Sequence, residues 1–349
     1  MTISLTDLAN FLTGPETSIM DVMRLINRRE AGHQFQIVAD EDRRVLGTVT
    51  DGDIRRAILR EIALDAPISK CMQKDFKAGR IGDDADNRQQ LQAVGSHVSF
   101  LPILDDSGAI DSVLIPAEAE LHAVRALVMA GGFGKRLAER THTTPKPMLP
   151  VGDRPILAHV LDRLEAAGIV DIRIAVHYLS EHIERFVDGR DSMGKIGLIH
   201  EEQPLGTVGA VGLLSDFDFP GLLVLNGDVM TSLDYRSFVS FHMSQDYAAT
   251  MAVAQHEVRI PYGVIDYTSD GGFERINEKP TLTHLVSAGI NILSPEICRL
   301  VPDNRAVDMP ELIAMGKQAG MPIGLFPIHE YWTDVGRPED LAKANDDHR

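Results

Sequence analysis

The sequence predicts an α/β fold: a mostly parallel sheet spanning the later part of the chain, preceded by a smaller α+β unit. Two observations carry this. From Ala126 onward, short apolar runs alternate with amphipathic helical patterns, the signature of a parallel sheet with crossover helices. Before residue 118 a helix–strand–turn–strand unit occurs twice, with the copies about 65 residues apart. A short polar stretch, residues 119–124, joins the two regions without a Gly/Ser run and is read as a linker. The domain boundaries expected are therefore 1–118, 119–124 and 125–349.

The first copy of the repeat has a helical stripe at Ile19, Met23 and Ile26, then a strand from Phe35 to Val38. A polar turn over 40–44 leads to a strand at Val45–Val49 and a helix starting near Asp53. The second copy has a helix near Asn87–Val94, a strand Val98–Leu104, a turn Asp105–Gly108 and a strand Ile110–Ile115. In the later region, strands are expected at Arg125–Ala130, Asp171–Val176 and Leu222–Leu225, and helices at Ile156–Ala167 and Ser180–Val187. In such sheets ligands bind beyond the carboxyl ends of the strands. A glycine loop follows the first of these strands and Asn226-Gly-Asp228 follows a later one, so both are expected on one rim.

The composition, 44% hydrophobic over 349 residues, supports buried cores but not a membrane protein. No apolar run reaches the ~18 residues of a membrane helix, and the N-terminus has no secretion-signal pattern. The only two cysteines, Cys71 and Cys298, fall in different regions, which argues against disulfides and fits a cytoplasmic setting. A net charge of -17 argues against nucleic-acid binding.

Against that acidic background, Met129-Ala-Gly-Gly-Phe-Gly-Lys-Arg-Leu137 places Lys135 and Arg136 on a glycine loop, and Lys146 follows in Thr144-Pro-Lys-Pro-Met-Leu-Pro150. Glycines without Cβ atoms let backbone N–H groups approach a phosphate. The loop is not a Walker A motif, because Met129 and Arg136 stand where a glycine and a hydroxyl residue are required. It is not a dinucleotide fingerprint either, since Leu137 replaces the last glycine.

The whole run resembles the sugar-phosphate nucleotidyltransferases, whose opening motif reads Gly-Gly-x-Gly-x-Arg-Leu…Pro-Lys-Pro. The resemblance continues in order through Glu201-Glu-Gln-Pro-Leu-Gly-Thr-Val-Gly-Ala210, whose place is that of the family's base-reading loop, and Leu223-Val-Leu-Asn-Gly-Asp228. It then takes in Tyr262-Gly-Val264, Glu278-Lys-Pro280, Ala288-Gly-Ile-Asn291 and Tyr331-Trp-Thr-Asp-Val-Gly336. It implies a Rossmann-like domain that joins an NTP to a sugar 1-phosphate, releasing pyrophosphate, with Mg2+ as cofactor. The implied NTP-binding residues are Ala130, Gly131, Gly132, Gly134, Lys135, Arg136, Gln203, Gly206 and Thr207. Arg136, Lys146 and Asp228 are the implied catalytic residues, and Asp228 with Asp334 the metal ligands. Gly263, Glu278, Lys279 and Asn291 are implied at the sugar phosphate. Each short motif alone has a bland alternative: a turn aspartate, a solvated Glu-Lys pair, a helix-starting glycine. Their order along one chain favours the site.

The first region resembles a pair of CBS motifs, carried by Gly47-Thr-Val-Thr-Asp-Gly-Asp-Ile-Arg-Arg-Ala57. This implies that Thr50 and Asp53 contact an adenosine- or guanosine-type nucleotide. The same residues also make a plausible helix start. The second copy carries Leu114 and Ala117 at the matching positions, so at most one site is expected. A homo-oligomer is expected as well. Every motif assigned to chemistry follows Arg125, so activity is expected from the later region alone.

The Leu-Gly-Thr loop and Asp308-Met-Pro-Glu-Leu312 look most like mannose-1-phosphate guanylyltransferases, which points to GTP. A CBS pair ahead of the transferase resembles the guanylyltransferases of bacterial nonulosonic (legionaminic) acid synthesis. UTP, CTP or dTTP remain alternatives, as do mannose, heptose or aminosugar phosphates. The rival class is a catalytically inactive, nucleotide-sensing CBS regulatory protein; retention of Arg136, Lys146, Asp228, Lys279 and Asp334 speaks against it.

Overall fold

The structure is a computed structural model, and it describes residues 2–5, 8–27, 29, 34–93, 100–116, 123–134 and 137–347. Lys135, Arg136 and Ala117 lie outside the described residues, as does most of the expected linker and the start of the strand expected at Val98.

The first region is built from β1 (Thr2–Leu5), β2 (Leu12–Thr13), α1 (Ile19–Asn27), β3 (Phe35–Ala39), β4 (Val45–Thr50) and α2 (Asp51–Leu59). It continues with β5 (Gly79–Arg80), α3 (Asp84–Ala93), β6 (Leu101–Leu104) and β7 (Ile110–Pro116). The repeat expected from sequence is present. One sheet has the order β2-β3-β4 and the other β1-β7-β6-β5, each centred on an antiparallel hairpin with a parallel strand added. The copies meet through Phe35 and Phe100, whose rings stack with centroids 3.9 Å apart. The helical stripe Ile19, Val22, Met23 and Ile26 is buried against Val38, Val49 and Ile54.

The later region continues with β8 (Arg125–Met129), α4 (Ala138–Thr141), β9 (Pro150–Val151), β10 (Arg154–Pro155), α5 (Ile156–Ala166), β11 (Asp171–Val176), α6 (Ser180–Asp188) and β12 (Lys195–His200). Next come β13 (Leu222–Asn226), β14 (Val229–Thr231), α7 (Tyr235–Met243), β15 (Ala249–Arg259), β16 (Val264–Tyr267), β17 (Phe273–Asn277) and β18 (Thr281–Leu293). The chain closes with α8 (Pro295–Cys298), α9 (Met309–Gln318), β19 (Ile323–Ile328), β20 (Trp332–Asp334) and α10 (Pro338–Asp347).

The main sheet has seven strands in the order β12-β11-β8-β13-β18-β15-β19. It is mostly parallel; β18 runs against both its neighbours. Leu127, Val128, Ile172, Ile174, Leu223 and Leu225 are fully or almost fully buried, which is why these runs read as continuously apolar. The chain leaves β8 in one direction, through β11 to β12, and returns to β13 on the other side of β8. That reversal opens a crevice at the carboxyl ends of β8 and β13. Beyond the main sheet, β15 and β18 run on as an arm that carries the β16–β17 hairpin, with Tyr262, Tyr267 and Phe273 exposed.

Residues 125–349 do not stand apart from the first region. Helix α2 packs on β19, and Arg55, only 1% exposed, enters the interface. Its guanidinium donates to the Pro327 carbonyl and to Glu330 Oε1 (2.7 Å), and lies 3.8 Å over the Phe326 ring. Gln34 Nε2 donates to Asp234 Oδ2 (2.6 Å), and Ser237 Oγ donates to Gln34.

Candidate active site

The glycine loop begins where β8 ends. The Ala130 N–H donates to the Ala175 carbonyl and the Gly227 N–H to the Met129 carbonyl, which ties the loop between its two neighbouring strands. Two of its glycines answer to contacts. A Cβ on Gly131 would stand 3.1 Å from Glu201 Oε2. Gly134 has φ +62°, a conformation that favours glycine, and a Cβ there would meet Thr141 at 2.8 Å.

The cleft over this loop has a volume of about 480 Å³, in the range of small-molecule sites. Ala130, Gly131, Gly132 and Gly134 line one side. Lys146 and Asp228 line another, and Gly206 with Thr207 close it. Residues far apart in sequence but expected at one rim are therefore brought together.

Lys146 sits in a short 3-10 turn, 146–148, held between Pro145 and Leu149. Its Nζ donates to Asp228 and lies 3.6 Å from Asp334 Oδ1. The two carboxylates converge because β14 and β20 form a short antiparallel ladder with Val229 opposite Asp334. The Val335 N–H donates to the Asp228 carbonyl at 3.1 Å and locks that register. Burial raises the Asp334 carboxyl above its ordinary range; the nearby Asp228 charge adds to this and Lys146 partly offsets it. Asp228 Oδ1 is buried without a hydrogen-bond partner. Two convergent carboxylates, one with an unused buried oxygen, fit a hard divalent cation that takes its remaining oxygens from phosphates.

The Leu-Gly-Thr loop is fixed from a distance. Gly206 has φ +80°, and a Cβ there would stand 2.7 Å from the Val307 carbonyl oxygen. The Thr207 N–H donates to Asp308 Oδ1 at 2.9 Å, and Thr207 Oγ1 accepts from the Met309 N–H at 2.7 Å. The Asp308–Leu312 segment thus clamps the loop from the start of α9.

The remaining expected residues are placed differently. Gln203 is exposed and donates to the Asn304 carbonyl at 3.1 Å, outside the cleft wall. Gly263, Glu278 and Lys279 gather at the base of the β16–β17 hairpin. A Cβ on Gly263 would lie 2.9 Å from Glu278 Oε2, and the Lys279 N–H donates to the Tyr262 carbonyl. None of the three lines the cleft. Asn291 is 3% exposed in β18, opposite Val224, with Oδ1 unpartnered. Its neighbour Gly289, φ +70°, packs under Asn226, where a Cβ would meet Nδ2 at 2.6 Å. Trp332 Nε1 donates to the Ala288 carbonyl at 2.9 Å, tying β20 to the same segment.

One charged lining residue opens the base-reading motif without having a role assigned to it there. Glu201 directly follows β12, is 6% exposed, and faces the cleft under Gly131. Oε2 accepts from the Leu205 N–H at 3.1 Å, while Oε1 is buried without a partner. Burial raises its carboxyl above the ordinary range, against the pull of that N–H. Its place at the end of a strand, on the same rim as Asp228, was the available signal.

In the first region, Thr50 and Asp53 form a capping box on α2. The Thr50 N–H donates to Asp53 Oδ2 (2.8 Å) and the Asp53 N–H to Thr50 Oγ1 (3.3 Å). Arg56 adds an ion pair to Asp53 at 2.7 Å.

Comparison with known proteins agrees with the motif order. Residues 3–60 match the model of the CBS domain. The chain is 33% identical over 227 residues, 62% of either chain, to the mannose-1-phosphate guanylyltransferase catalytic subunit beta of Danio rerio. It is 31% identical over 227 residues to the mannose-1-phosphate guanyltransferase of Schizosaccharomyces pombe, again over 62% of each. The chain thus spans less than two thirds of these curated relatives. Among solved structures it is similar to HddC from Yersinia pseudotuberculosis, with 27% identity and a TM-score of 0.51 over 64% of this chain and 99% of that one. Residues 125–349 match the family model described as nucleotidyl transferase, and the chain belongs to that family.

Proposed function

We propose that this chain is a guanylyltransferase that joins GTP to a sugar 1-phosphate, giving a GDP-sugar and pyrophosphate. The observation that carries the proposal is the single cleft in which a glycine loop, Lys146, Asp228 and Gly206–Thr207 converge, with Asp334 beside Lys146. A sugar-phosphate oxygen attacks the α-phosphorus; a new P–O bond forms, the bond to the β-phosphate oxygen breaks, and pyrophosphate leaves in line. Catalysis is then positioning and charge stabilisation, with no covalent nucleophile needed. The amides of residues 131–134 point a concave backbone at the phosphates. Lys146 offsets the charge of the carboxylates and of the α-phosphate, and Arg136 is assigned to the leaving pyrophosphate by its motif. Asp228 and Asp334 are the residues that would hold Mg2+, which supplies positive charge to phosphate oxygens when bound.

The preference for GTP is supported by Glu201. Guanine presents donors at N1–H and the N2 amine, and Glu201 Oε1 is an acceptor beneath the loop that no protein N–H has taken. The names of the curated relatives make mannose 1-phosphate the first sugar to try, with heptose and aminosugar phosphates next. The same proposal includes one adenosine- or guanosine-type nucleotide at Thr50 and Asp53. It also includes a homo-oligomer, for which the exposed Tyr262, Tyr267, Phe273 and Ile276 of the arm offer an apolar face. A cytoplasmic setting fits the two free thiols, and no described helix is long and apolar enough to cross a membrane.

The test is a pyrophosphate-release screen of GTP, UTP, CTP and dTTP against a panel of sugar 1-phosphates, with and without Mg2+. Release is expected only when all three components are present, and fastest with GTP. Silence across a broad panel would favour the rival, an inactive nucleotide-sensing protein.

A further inference from the structure

We infer that Arg55, in the first region, is a positioning residue for Asp334: helix α2 is a structural part of the proposed metal site. This rests on the reading of Asp228 and Asp334 as metal ligands.

The argument starts from burial. An arginine that is 1% exposed must have its charge and donors matched. Within α2 it pairs with Asp51, one turn earlier, Nε to Oδ2 at 2.5 Å. Burial alone would raise the Asp51 carboxyl, but Arg55, with His329, holds it down at about 2, so the pair is ionic. The rest of the guanidinium reaches across to the other region. It donates to the Pro327 carbonyl and Glu330 Oε1, and lies flat on Phe326. His329 sits inside the same cluster, with Nε2 3.7 Å from Asp51 Oδ1 and Nδ1 3.5 Å from Glu330 Oε2.

These partners lie at one place in the fold. Phe326 and Pro327 are at the end of β19, and Glu330 is in the three-residue link from β19 to β20. From Glu330 the chain reaches Asp334 in four residues, about 13 Å of extended backbone. β20 is held along its length by its ladder to β14 and by Trp332 on Ala288, and the Tyr331 carbonyl before it accepts from Thr231 Oγ1 and the Ser232 N–H. The link that enters β20 is held at Glu330 by Arg55. Without the guanidinium, Asp51 and Glu330 would be two carboxylates sharing a buried pocket, and the link would move to separate them. Such a movement pulls on Tyr331 and Trp332 against their hold on β14 and Ala288, and with them on the angle at which Asp334 faces Asp228. Residues that orient ligands without touching the metal characteristically change metal affinity about ten- to a hundredfold when lost.

The chain's only tryptophan, Trp332, lies between Glu330 and Asp334 and reports on this segment directly. Full-length Arg55→Lys, Arg55→Ala and Glu330→Gln are compared with wild type, with Asp334→Asn and the exposed Arg24→Ala as references. Each is titrated with Mn2+ in the presence of GTP, with free Mn2+ followed by electron spin resonance and Trp332 by its emission. Thermal unfolding confirms that each variant is folded; Glu330→Gln, which keeps the side-chain shape, carries the test if Arg55→Ala does not fold. Expected are a Mn2+ affinity about tenfold weaker in Glu330→Gln and Arg55→Ala, a shifted Trp332 emission, partial recovery in Arg55→Lys, and no change in Arg24→Ala. Folded Glu330→Gln and Arg55→Lys proteins with wild-type Mn2+ affinity and emission would overturn the positioning role. Unchanged Mn2+ binding in Asp334→Asn would instead sink the metal reading. In that event, the Trp332 emission of the Arg55 variants still decides whether the clamp sets the position of β20.

Discussion

Replacing Glu201 by glutamine tests the base-reading proposal at a single atom. The wild-type carboxylate keeps Oε2 on the Leu205 N–H and leaves Oε1 buried without a protein partner. Glutamine has the same shape but presents an amine where one acceptor stood. Facing guanine, that amine opposes a donor with a donor; facing uracil or thymine, whose N3–H is flanked by carbonyls, it gains an acceptor. Setting a donor against a buried donor costs about 1–3 kcal/mol, a factor of about 5 to 150. The ratio of kcat/KM for GTP over UTP is therefore expected to fall by about 5- to 150-fold in Glu201→Gln. The assay is competition at equal concentrations with chromatographic separation of the two nucleotide sugars. An unchanged ratio in a folded variant would refute the reasoning. Stability gives a second check. Because burial raises the Glu201 carboxyl in the folded chain, the folded state holds its proton more tightly than the unfolded one. The stability that this group contributes is present at low pH and lost as pH rises through the folded pKa. Glutamine removes that loss. The variant without ligand is expected to melt above wild type at neutral pH, with the gain fading below the ordinary carboxylate range.

Asp228→Asn and Asp334→Asn are each expected to cut turnover by about a hundredfold or more with melting little changed, and near-normal turnover in either would remove it from the site. Gly206→Ala forces a side chain onto φ +80° and against the Val307 carbonyl. A stability loss of about 1 kcal/mol or more in denaturant and a raised nucleotide KM are expected, and wild-type values would show that the loop relaxes freely. Asp53→Ala breaks the capping box and should cost about 1 kcal/mol. Calorimetry on the same variant should show loss of a single nucleotide site per chain; two equivalent sites in wild type would contradict the asymmetry between the copies.

Much of the architecture was legible because it rests on local signals. The β8, β11 and β13 runs are apolar enough to be read as buried strands, and Gly131, Gly134 and Gly206 mark turns that other residues fit badly. The capping alternative for Thr50 and Asp53 could be read from their spacing, and the box is present. What escaped depends on contacts between distant residues. Only its place directly after β12 tells Glu201 apart from the exposed Glu202, and its contact with Gly131 is visible only in the fold. Gln203 looked equally suited to a base, but the turn points it at Asn304. Arg55 stands in the Gly47–Ala57 motif with nothing in the sequence to set it apart from Arg56. Its partners, 272 and 275 residues further on, become visible only once β19 lies beside α2.

That separation has a consequence for how the molecule folds. Contacts that close such long loops form late and slow the search for the native state. A lone buried arginine would be a hazard during that delay, but Arg55 already has Asp51 one turn away on the same helix. The first region can therefore complete its own core with this charge neutralised, and wait for β19 and the Glu330 link. The internal pair acts as a temporary seal, and Glu330 completes it when the two regions meet.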